Sequence, residues 1–374
     1  MAVLSQFVAL LAALAGVGFI LGIHEFGHFI LCKLFDVQTR TFSIGFGPRI
    51  LHKKVGETDF ILSAIPMGAY VEIVREFEEE ERPADVDKGR TLDSKPYYQK
   101  VAIMLGGIAC NLLFAYVAMI GLVAAGLPSS PMLYPYNAQT TIATVAPDSA
   151  AQRAGLKEED RIIAIDDFAP EGSAVKLFEI LKPLGGKKVT VHVEREGQEI
   201  AIPVTLDSRE FLGQKVGTLG VVLETEDAPG KGFIESIQEG IAITNAYIAG
   251  TAKLYLTMFR KRDMSNLGGP LMIISMTMKS VGEGGKIFLL LLVLLSIGLA
   301  ILNLLPLPIL DGGQVLFFTI EAIMGRPLPL RVREYIAIAS WLLILGLMLY
   351  LAFWDSVRIA APHIPGLRTL FGLG

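Results

Sequence analysis

The sequence His24-Glu25-Phe26-Gly27-His28 follows an apolar run, residues 3–23, that contains no Asp, Glu, Lys or Arg. Residues four apart on a helix project from one face, so His24 and His28 can present two imidazoles to one metal ion. Glu25 would then stand beside the remaining coordination position. The alternative interpretation is two hydrogen-bonded polar residues in a helix bundle. Ionisable groups next to hydrocarbon are costly and usually serve an ion, a proton or a substrate, which favours a metal site.

The composition is typical of an integral membrane protein. Hydrophobic residues make up 52% of the 374 residues and charged residues 19%, a more apolar balance than soluble domains have. Four runs lack charged residues, and each can cross about 30 Å of hydrocarbon as a helix. They are residues 3–23, 101–127, 287–310 and 335–354. We therefore expect an α-helical polytopic membrane protein with about four transmembrane helices, in contact with the lipid bilayer. The absence of a basic stripe excludes nucleic acid as an expected partner.

The distribution of basic residues predicts the orientation in the membrane. No Lys or Arg precedes residue 23, whereas several follow the first run closely, namely Lys33, Arg40, Arg49, Lys53 and Lys54. Because short cytoplasmic loops carry the excess of Lys and Arg, residues 33–100 are expected on the inner side. The segment between the second and third runs is then outside, and the metal site lies toward the cytoplasmic leaflet.

A second motif, Leu310-Asp311-Gly312-Gly313, lies at the end of the third run. A catalytic zinc normally takes three protein ligands, and Asp311 is the natural third one. The alternatives are a capping carboxylate or a turn former. Ligation is favoured because Pro306 and Pro308 disrupt a helix at membrane depth, where broken backbone must be buried in protein or line a wet cavity. Asn303 could hold a substrate carbonyl in that cavity or make an interhelical hydrogen bond.

Hydrolysis is the simplest chemistry for this set of residues. Zinc lowers the pKa of water and polarises a carbonyl, while Glu25 accepts a proton as general base and later delivers it to the leaving amine. Two other classes stay open. A catalytically silent scaffold is disfavoured because a structural zinc has no need of Glu25. A metal transporter is disfavoured because there is one predicted site and no inverted repeat.

The rest of the chain divides by pattern. Residues 41–48 and 60–70 are apolar, β-branched or aromatic, and interrupted by Gly and Pro, which predicts a membrane-associated β-hairpin region. Residues 127–208 predict an inserted α+β domain, with strands at 141–145 and 161–165, helices at 149–154 and 177–181, and a hairpin turning at Glu196-Gly197. Residues 241–259 predict an interfacial amphipathic helix. We expect a membrane core made of two halves, residues 1–126 and 286–374. The inserted domain is expected at residues 127–208, and a linker at residues 209–285.

Several of these stretches resemble the site-2 protease family of intramembrane zinc metalloproteases, and its bacterial regulator-of-sigma-E-protease branch in particular. They are residues 24–28, 45–48 (Gly-Phe-Gly-Pro) and 303–313, together with residues 146–162, which resemble the signature of a PDZ domain. The resemblance implies Zn²⁺ as cofactor, with His24, His28 and Asp311 as its ligands. It also implies Glu25 as the catalytic acid/base and Asn303 as a substrate-supporting residue.

The resemblance further implies how substrate is bound. The region from Gly45 to Tyr70, including Phe46 and Gly47, would offer an edge strand to an unwound substrate helix. The close spacing of Gly106 and Gly107 with Asn111 in the second run also resembles the family. We interpret it as close helix packing without a catalytic role.

The biological role implied by the resemblance is cleavage within the transmembrane segments of single-span proteins, such as anti-sigma factors or remnant signal peptides. Cleavage would follow a first cut by another protease, in regulated intramembrane proteolysis. The expected location is the bacterial inner (cytoplasmic) membrane, with the PDZ-like domain on the periplasmic side as a filter for shortened substrates. Well-studied members carry two PDZ domains, whereas residues 127–285 have room for one.

Overall fold

The structure is a computed structural model that describes residues 2–75, 87–211, 214–261 and 268–360. The chain forms two compact units. One combines Met1–Met119 with Thr244–Gly374, and the other is Ile120–Ile243. Each unit is described by itself below.

The elements are numbered in chain order. The helices are α1 (Ala2–Leu34), α2 (Tyr97–Ala125), α3 (Ala150–Ala154), α4 (Ala174–Leu181), α5 (Phe233–Lys261), α6 (Pro270–Glu283), α7 (Gly285–Asn303), α8 (Asp311–Met324) and α9 (Leu330–Ala360). The strands are β1 (Thr39–Val55), β2 (Thr58–Ile73), β3 (Ala138–Val145), β4 (Arg161–Ile165), β5 (Lys188–Arg195), β6 (Gln198–Thr205), β7 (Asp207–Phe211), β8 (Gln214–Thr218) and β9 (Val221–Thr225).

Four helices of the described chain are long and apolar enough to cross a membrane, as the charge-free runs predict. They are Leu4–Leu34, Tyr97–Ala125, Gly285–Asn303 and Arg331–Arg358. A helix satisfies every backbone hydrogen bond within itself, which is why apolar runs take this form in lipid. Large apolar side chains such as Trp341 and Leu342 stay exposed on α9, as expected for a lipid-facing surface.

The third charge-free run, residues 287–310, forms a helix only in its first part, in agreement with the disruption expected at Pro306 and Pro308. Its helix, α7, ends at Asn303, and Asp311 is instead the first residue of a further helix, α8, that the sequence analysis did not predict. Pro306 and Pro308 lack the backbone N–H that a continuing helix needs. At Gly313 the carbonyl of Leu307 occupies the space that a Cβ would need, so the connecting loop packs directly against the first turn of α8.

Residues 39–73 form the predicted β region, but its pairing is more complex than a simple hairpin. The two long strands β1 and β2 pair with register shifts, so that residues 42–44 of β1 lie opposite two stretches of β2. Residues 60–62 pair with one side of residues 42–44, and residues 69–71 pair with the other side. Residues 69–73 are therefore an outer row of this sheet, and we call them the outer strand.

Glycines allow α1 and α2 to cross at close range. A Cβ on Gly106 would lie 2.7 Å from the carbonyl oxygen of Gly27, and a Cβ on Gly27 would overlap the backbone of Gly106. Helix backbones in membranes approach closely only where small residues allow it. The expected close helix packing is present at Gly106, whereas Gly107 lies against the rings of His24 and His28, so the crossing brings α2 against the histidine-bearing face of α1.

The second unit, Ile120–Ile243, contains a five-stranded antiparallel sheet in the order β6-β5-β4-β3-β9. Its core includes Ile142, Ile162, Leu177 and Val191, and the predicted strands, helices and hairpin of this region are present. The sheet extends past residue 208, the expected domain end, because β9 pairs with β3 along one edge. The region predicted as an interfacial helix belongs to α5, which begins earlier, at Phe233.

Candidate metal centre

Three ligand atoms from distant parts of the chain converge at one point in the first unit. His24 and His28 lie on α1 and are 6% and 5% exposed. Their Nε2 atoms are 3.2 Å apart. Oδ2 of Asp311, at the start of α8, lies 3.0 Å from Nε2 of His24 and 3.5 Å from Nε2 of His28. The two motifs that the sequence analysis paired thus meet.

The spacing of these atoms fits a tetrahedral zinc ion. Bonds of about 2.0–2.1 Å in a tetrahedron place ligand atoms about 3.3–3.4 Å apart. Oδ2 of Asp311 is buried and accepts no hydrogen bond from any residue that the structure describes. The alternative of a capping carboxylate is excluded, because Leu310 is the N-cap of α8 and the helix has no side-chain cap hydrogen bond. Three protein atoms can therefore hold Zn²⁺ and leave one coordination position open.

Neighbouring groups fix the orientation of both imidazoles. Nδ1 of His28 lies 2.7 Å from the carbonyl oxygen of Ile103 and donates its proton there, which leaves Nε2 for a metal. The amide of Asn111 lies 3.4 Å from Nδ1 of His24, and its buried Oδ1 has no hydrogen-bond partner among the described residues. Since an amide's oxygen and nitrogen are assigned from their partners, turning this amide gives the Nδ1–H of His24 an acceptor. Such hydrogen bonds hold a metal-binding histidine in one tautomer.

Glu25 stands next to these atoms. Its carboxylate and the ring nitrogens of His24 and His28 all lie within 4.8 Å of one another. The backbone N–H of Val71, in the outer strand, donates to Oε2 of Glu25 at 3.0 Å. One carboxylate oxygen is thus anchored by the sheet, and the other is available for proton transfer near the open coordination position.

Comparison with known proteins agrees with this arrangement. The sequence model of the family described as Peptidase family M50 matches residues 12–347, which is most of the chain. The chain belongs to this family. A protein of Brucella suis is 31% identical to this M50 peptidase over 361 residues, covering 89% of the chain and 91% of the relative. One of Campylobacter jejuni is 30% identical over 366 residues, covering 93% of each. Both carry names that describe zinc metalloproteases.

The M50 peptidase is accordingly a zinc-dependent metalloprotease, and four helices among its described residues are long and apolar enough to cross a membrane. The resemblance to the site-2 protease family is confirmed, as is the prediction that the protein is a hydrolase with a zinc cofactor. The membrane setting predicted from composition agrees with the family.

The remaining predicted site residues lie at defined places in the M50 peptidase. Asn303 is buried at the last position of α7. Gly45 and Gly47 have positive φ angles of 86° and 87°, which favour glycine, and a Cβ on Gly45 would lie 2.5 Å from the carbonyl oxygen of Ile65. Phe46 lies between them and stacks on Tyr70 of the outer strand, with ring centroids 5.9 Å apart.

Two residues at the site were not predicted to have this role. Asn111 was interpreted as a packing residue, although an amide in a charge-free span is itself a signal of a buried polar contact. Val71 carries no such signal, because it acts through its backbone N–H and any residue type other than proline would supply that donor.

Proposed function

We propose that this M50 peptidase is an intramembrane endopeptidase that hydrolyses peptide bonds within the transmembrane segments of single-span membrane proteins. In this proposal His24, His28 and Asp311 bind Zn²⁺, and Glu25 is the general base. The observation that carries it is the group of three ligand atoms, 3.0–3.5 Å apart, with Glu25 beside them on a membrane-spanning helix.

Each residue has a distinct part in the proposed reaction. When bound, zinc acts as a Lewis acid toward the scissile carbonyl and makes water more acidic. Glu25 takes a proton from the attacking water at Oε1, the oxygen not bonded to Val71, and later delivers it to the leaving amine. Asn303, buried at the end of α7, supports the substrate. Ile103 and Asn111 keep the two imidazoles oriented.

The outer strand supplies the proposed binding edge for substrate. A peptide bond within a helix is hidden by the helix's own hydrogen bonds, so the substrate must be unwound before water can attack. An edge strand replaces the lost partners by β-strand addition. Hydrogen-bonding groups alternate in direction along a strand, so the outward N–H of Val71 implies that the backbone groups of Ala69 also point outward. The Gly45-Phe46-Gly47 segment of β1 supports this edge through the stacking of Phe46 on Tyr70.

The second unit is proposed to be a PDZ-like domain on the periplasmic side of a bacterial inner membrane. Its strand β9 lies at the edge of the sheet and borders an open cavity of about 740 Å³ lined by Tyr134, Ala143 and residues 221–226, among others. An exposed edge beside an apolar groove suits an extended peptide. We propose that this groove inspects substrate tails, so that anti-sigma factors or remnant signal peptides enter only after a first cleavage.

The test compares the wild type with Glu25→Gln and Asp311→Asn in detergent, using a tagged single-span model substrate and measuring bound zinc. Glu25→Gln is expected to retain zinc and lose about 100- to 10,000-fold in cleavage rate, the usual contribution of a general base. Asp311→Asn is expected to lose both zinc and cleavage. Equal cleavage by Glu25→Gln would refute the role of Glu25, whereas zinc binding without cleavage in the wild type would favour a silent scaffold.

A further inference from the structure

A hydrogen-bonded bridge connects the loop before Asp311 to the chain segment that follows the outer strand. Asp311 begins α8 directly after the interrupted segment 304–310, so the position of its carboxylate depends on how that segment is held. Backbone bonds supply part of the support, since the N–H groups of Gly313 and Gln314 both donate to the carbonyl of Leu310. A side chain supplies the rest.

Gln314 uses both ends of its amide. Nε2 donates to the carbonyl oxygen of Pro308 at 2.6 Å, and Oε1 accepts from Nη2 of Arg75 at 3.0 Å. The bridge borders a cavity of about 220 Å³, so packing alone does not fix the Gln314 side chain. Its position depends on these two hydrogen bonds, which tie the loop before Asp311 to Arg75.

Arg75 is itself held by charges from three other elements. It interacts electrostatically with Asp93 and Glu321, and with the like-charged Arg333. Arg333, near the start of α9, is bonded to Glu321 of α8 and lies 3.4 Å from Asp93. Two cations and two anions thus balance in a partly buried group.

The same chain segment reaches the general base. Val71 and Arg75 are four residues apart, and Val71 donates its N–H to Oε2 of Glu25 at 3.0 Å. The outer strand and the two residues after it therefore contact both Glu25 on α1 and, through Gln314, the loop that carries Asp311. A displacement of this segment would move both groups relative to His24 and His28.

We propose that Arg75 and Gln314 are positioning residues that hold Asp311 at its distance from the two histidines and couple it to the strand that orients Glu25. The proposal rests on the assignment of Asp311 as a zinc ligand. Neither residue touches the metal or the reacting atoms. Groups bonded directly to a metal ligand commonly change metal affinity 10- to 100-fold, and Gln314 and Arg75, which act through the backbone of the loop before Asp311, are expected to lie at the lower end of that range.

The experiment measures the zinc dissociation constant of the full chain in detergent, by competition with a chelating indicator well below the unfolding temperature. The variants are Arg75→Met and Gln314→Met, which remove the bridge with little change in size. Each is expected to weaken zinc binding about tenfold and to lower kcat with KM unchanged. The double variant is expected to be no weaker than the single ones, because both remove one bridge.

Matched controls separate positioning from a general loss of stability. Thr319→Val removes a hydroxyl from the same helix that bonds Tyr97 instead, and Arg49→Met removes an exposed arginine from the same sheet. Both should bind zinc as the wild type does. Gln314→Glu keeps the acceptor for Arg75 but loses the donor to Pro308, and is expected to lie between the wild type and Gln314→Met.

The outcomes separate this inference from the ligand assignment. If Asp311→Asn weakens zinc binding but Arg75→Met and Gln314→Met stay within twofold of the wild type, the positioning role is overturned and the ligand set stands. If Asp311→Asn itself binds zinc normally, the ligand set fails. Lower unfolding temperatures with unchanged zinc affinity in the Arg75 and Gln314 variants would show a structural role only, and would also overturn the proposal.

Discussion

Gly107 gives a sharp test of the metal centre, because at this position α2 lies directly against both imidazoles. A Cβ placed there would lie 2.6 Å from Nε2 of His28 and 2.7 Å from Cε1 of His24. Ordinary contacts between such atoms are about 3.5 Å, so Gly107→Ala must displace the rings or the helix by roughly 0.8–0.9 Å. The helix cannot simply retreat, since the close crossing at Gly27 and Gly106 would be lost.

The expected loss follows from this displacement. Misplacing a catalytic group by about 1 Å can cost about 100-fold in rate, which corresponds to about 2.7 kcal/mol. We therefore expect kcat/KM to fall about 100-fold in Gly107→Ala, and zinc affinity to fall about tenfold or more, because both ligands are disturbed. Helix propensity by itself would make Gly107→Ala stabilising, because alanine in a helix interior is favoured over glycine by about 1 kcal/mol.

The assay pairs cleavage of a tagged single-span substrate with zinc titration, and the same helix offers its own control. A Cβ on Gly121, also in α2, meets no atom of the described residues within 4 Å, so Gly121→Ala should behave as the wild type. The reasoning is refuted if Gly107→Ala binds zinc and cleaves substrate as well as Gly121→Ala does.

Three further predictions concern the outer strand, the second unit and the metal. Val71→Pro removes the backbone N–H that donates to Glu25, at an edge position that tolerates proline. We expect the cleavage rate to fall about 100-fold with zinc retained, whereas Val71→Thr keeps the N–H and should cleave as the wild type does. Equal cleavage rates in the two variants would contradict this role of Val71. Arg195→Met leaves the fully buried Asp160 without its guanidinium, so the full chain should lose about 3 kcal/mol of protection from hydrogen exchange in β4 and β5. Burial acts to raise the pKa of Asp160, but Arg195 and a backbone N–H outweigh it and lower the pKa. The stabilisation by this ion pair is therefore present above about pH 4, the ordinary pKa of an aspartate. It is lost as the pH falls toward the lower pKa of Asp160 in the folded state, and this pH dependence should be absent in Arg195→Met. Removing zinc with a chelator should abolish cleavage, and adding zinc back should restore it. Cleavage that survives complete removal of zinc would exclude a zinc mechanism.

Local patterns were enough to predict the parts of the site that depend on one helix or one loop. The spacing of His24 and His28 fixes a shared face, and the charge-free runs fix the spans, because helix periodicity and hydrocarbon thickness act over short stretches of chain. Asp311 was predicted from a motif ending a second apolar run, and the structure brings it to the histidines. The strands of the second unit were predicted by alternation and turn residues in the same way.

The parts that the sequence did not predict depend on long-range contacts. The start of α8 at Asp311 follows from loop packing against Gly313, and no local propensity marks it. The hydrogen bond from Val71 to Glu25 depends on the shifted register of β1 and β2, which turn signals do not specify. β9 was missed because a five-residue strand acquires its identity only by pairing with β3, far away in sequence.

The separation of the two halves of the metal centre has a consequence for biosynthesis. Asp311 lies 283 residues after His28 in the sequence. At a translation rate of about 5–20 residues per second, the ribosome adds Asp311 roughly 15–60 s after His28. During that interval the nascent chain carries the proposed general base and the two histidines but not the proposed third ligand. Under the proposed ligand set, a product that ends before Asp311 lacks the third zinc ligand, and we expect peptidase activity only after the C-terminal half has been inserted.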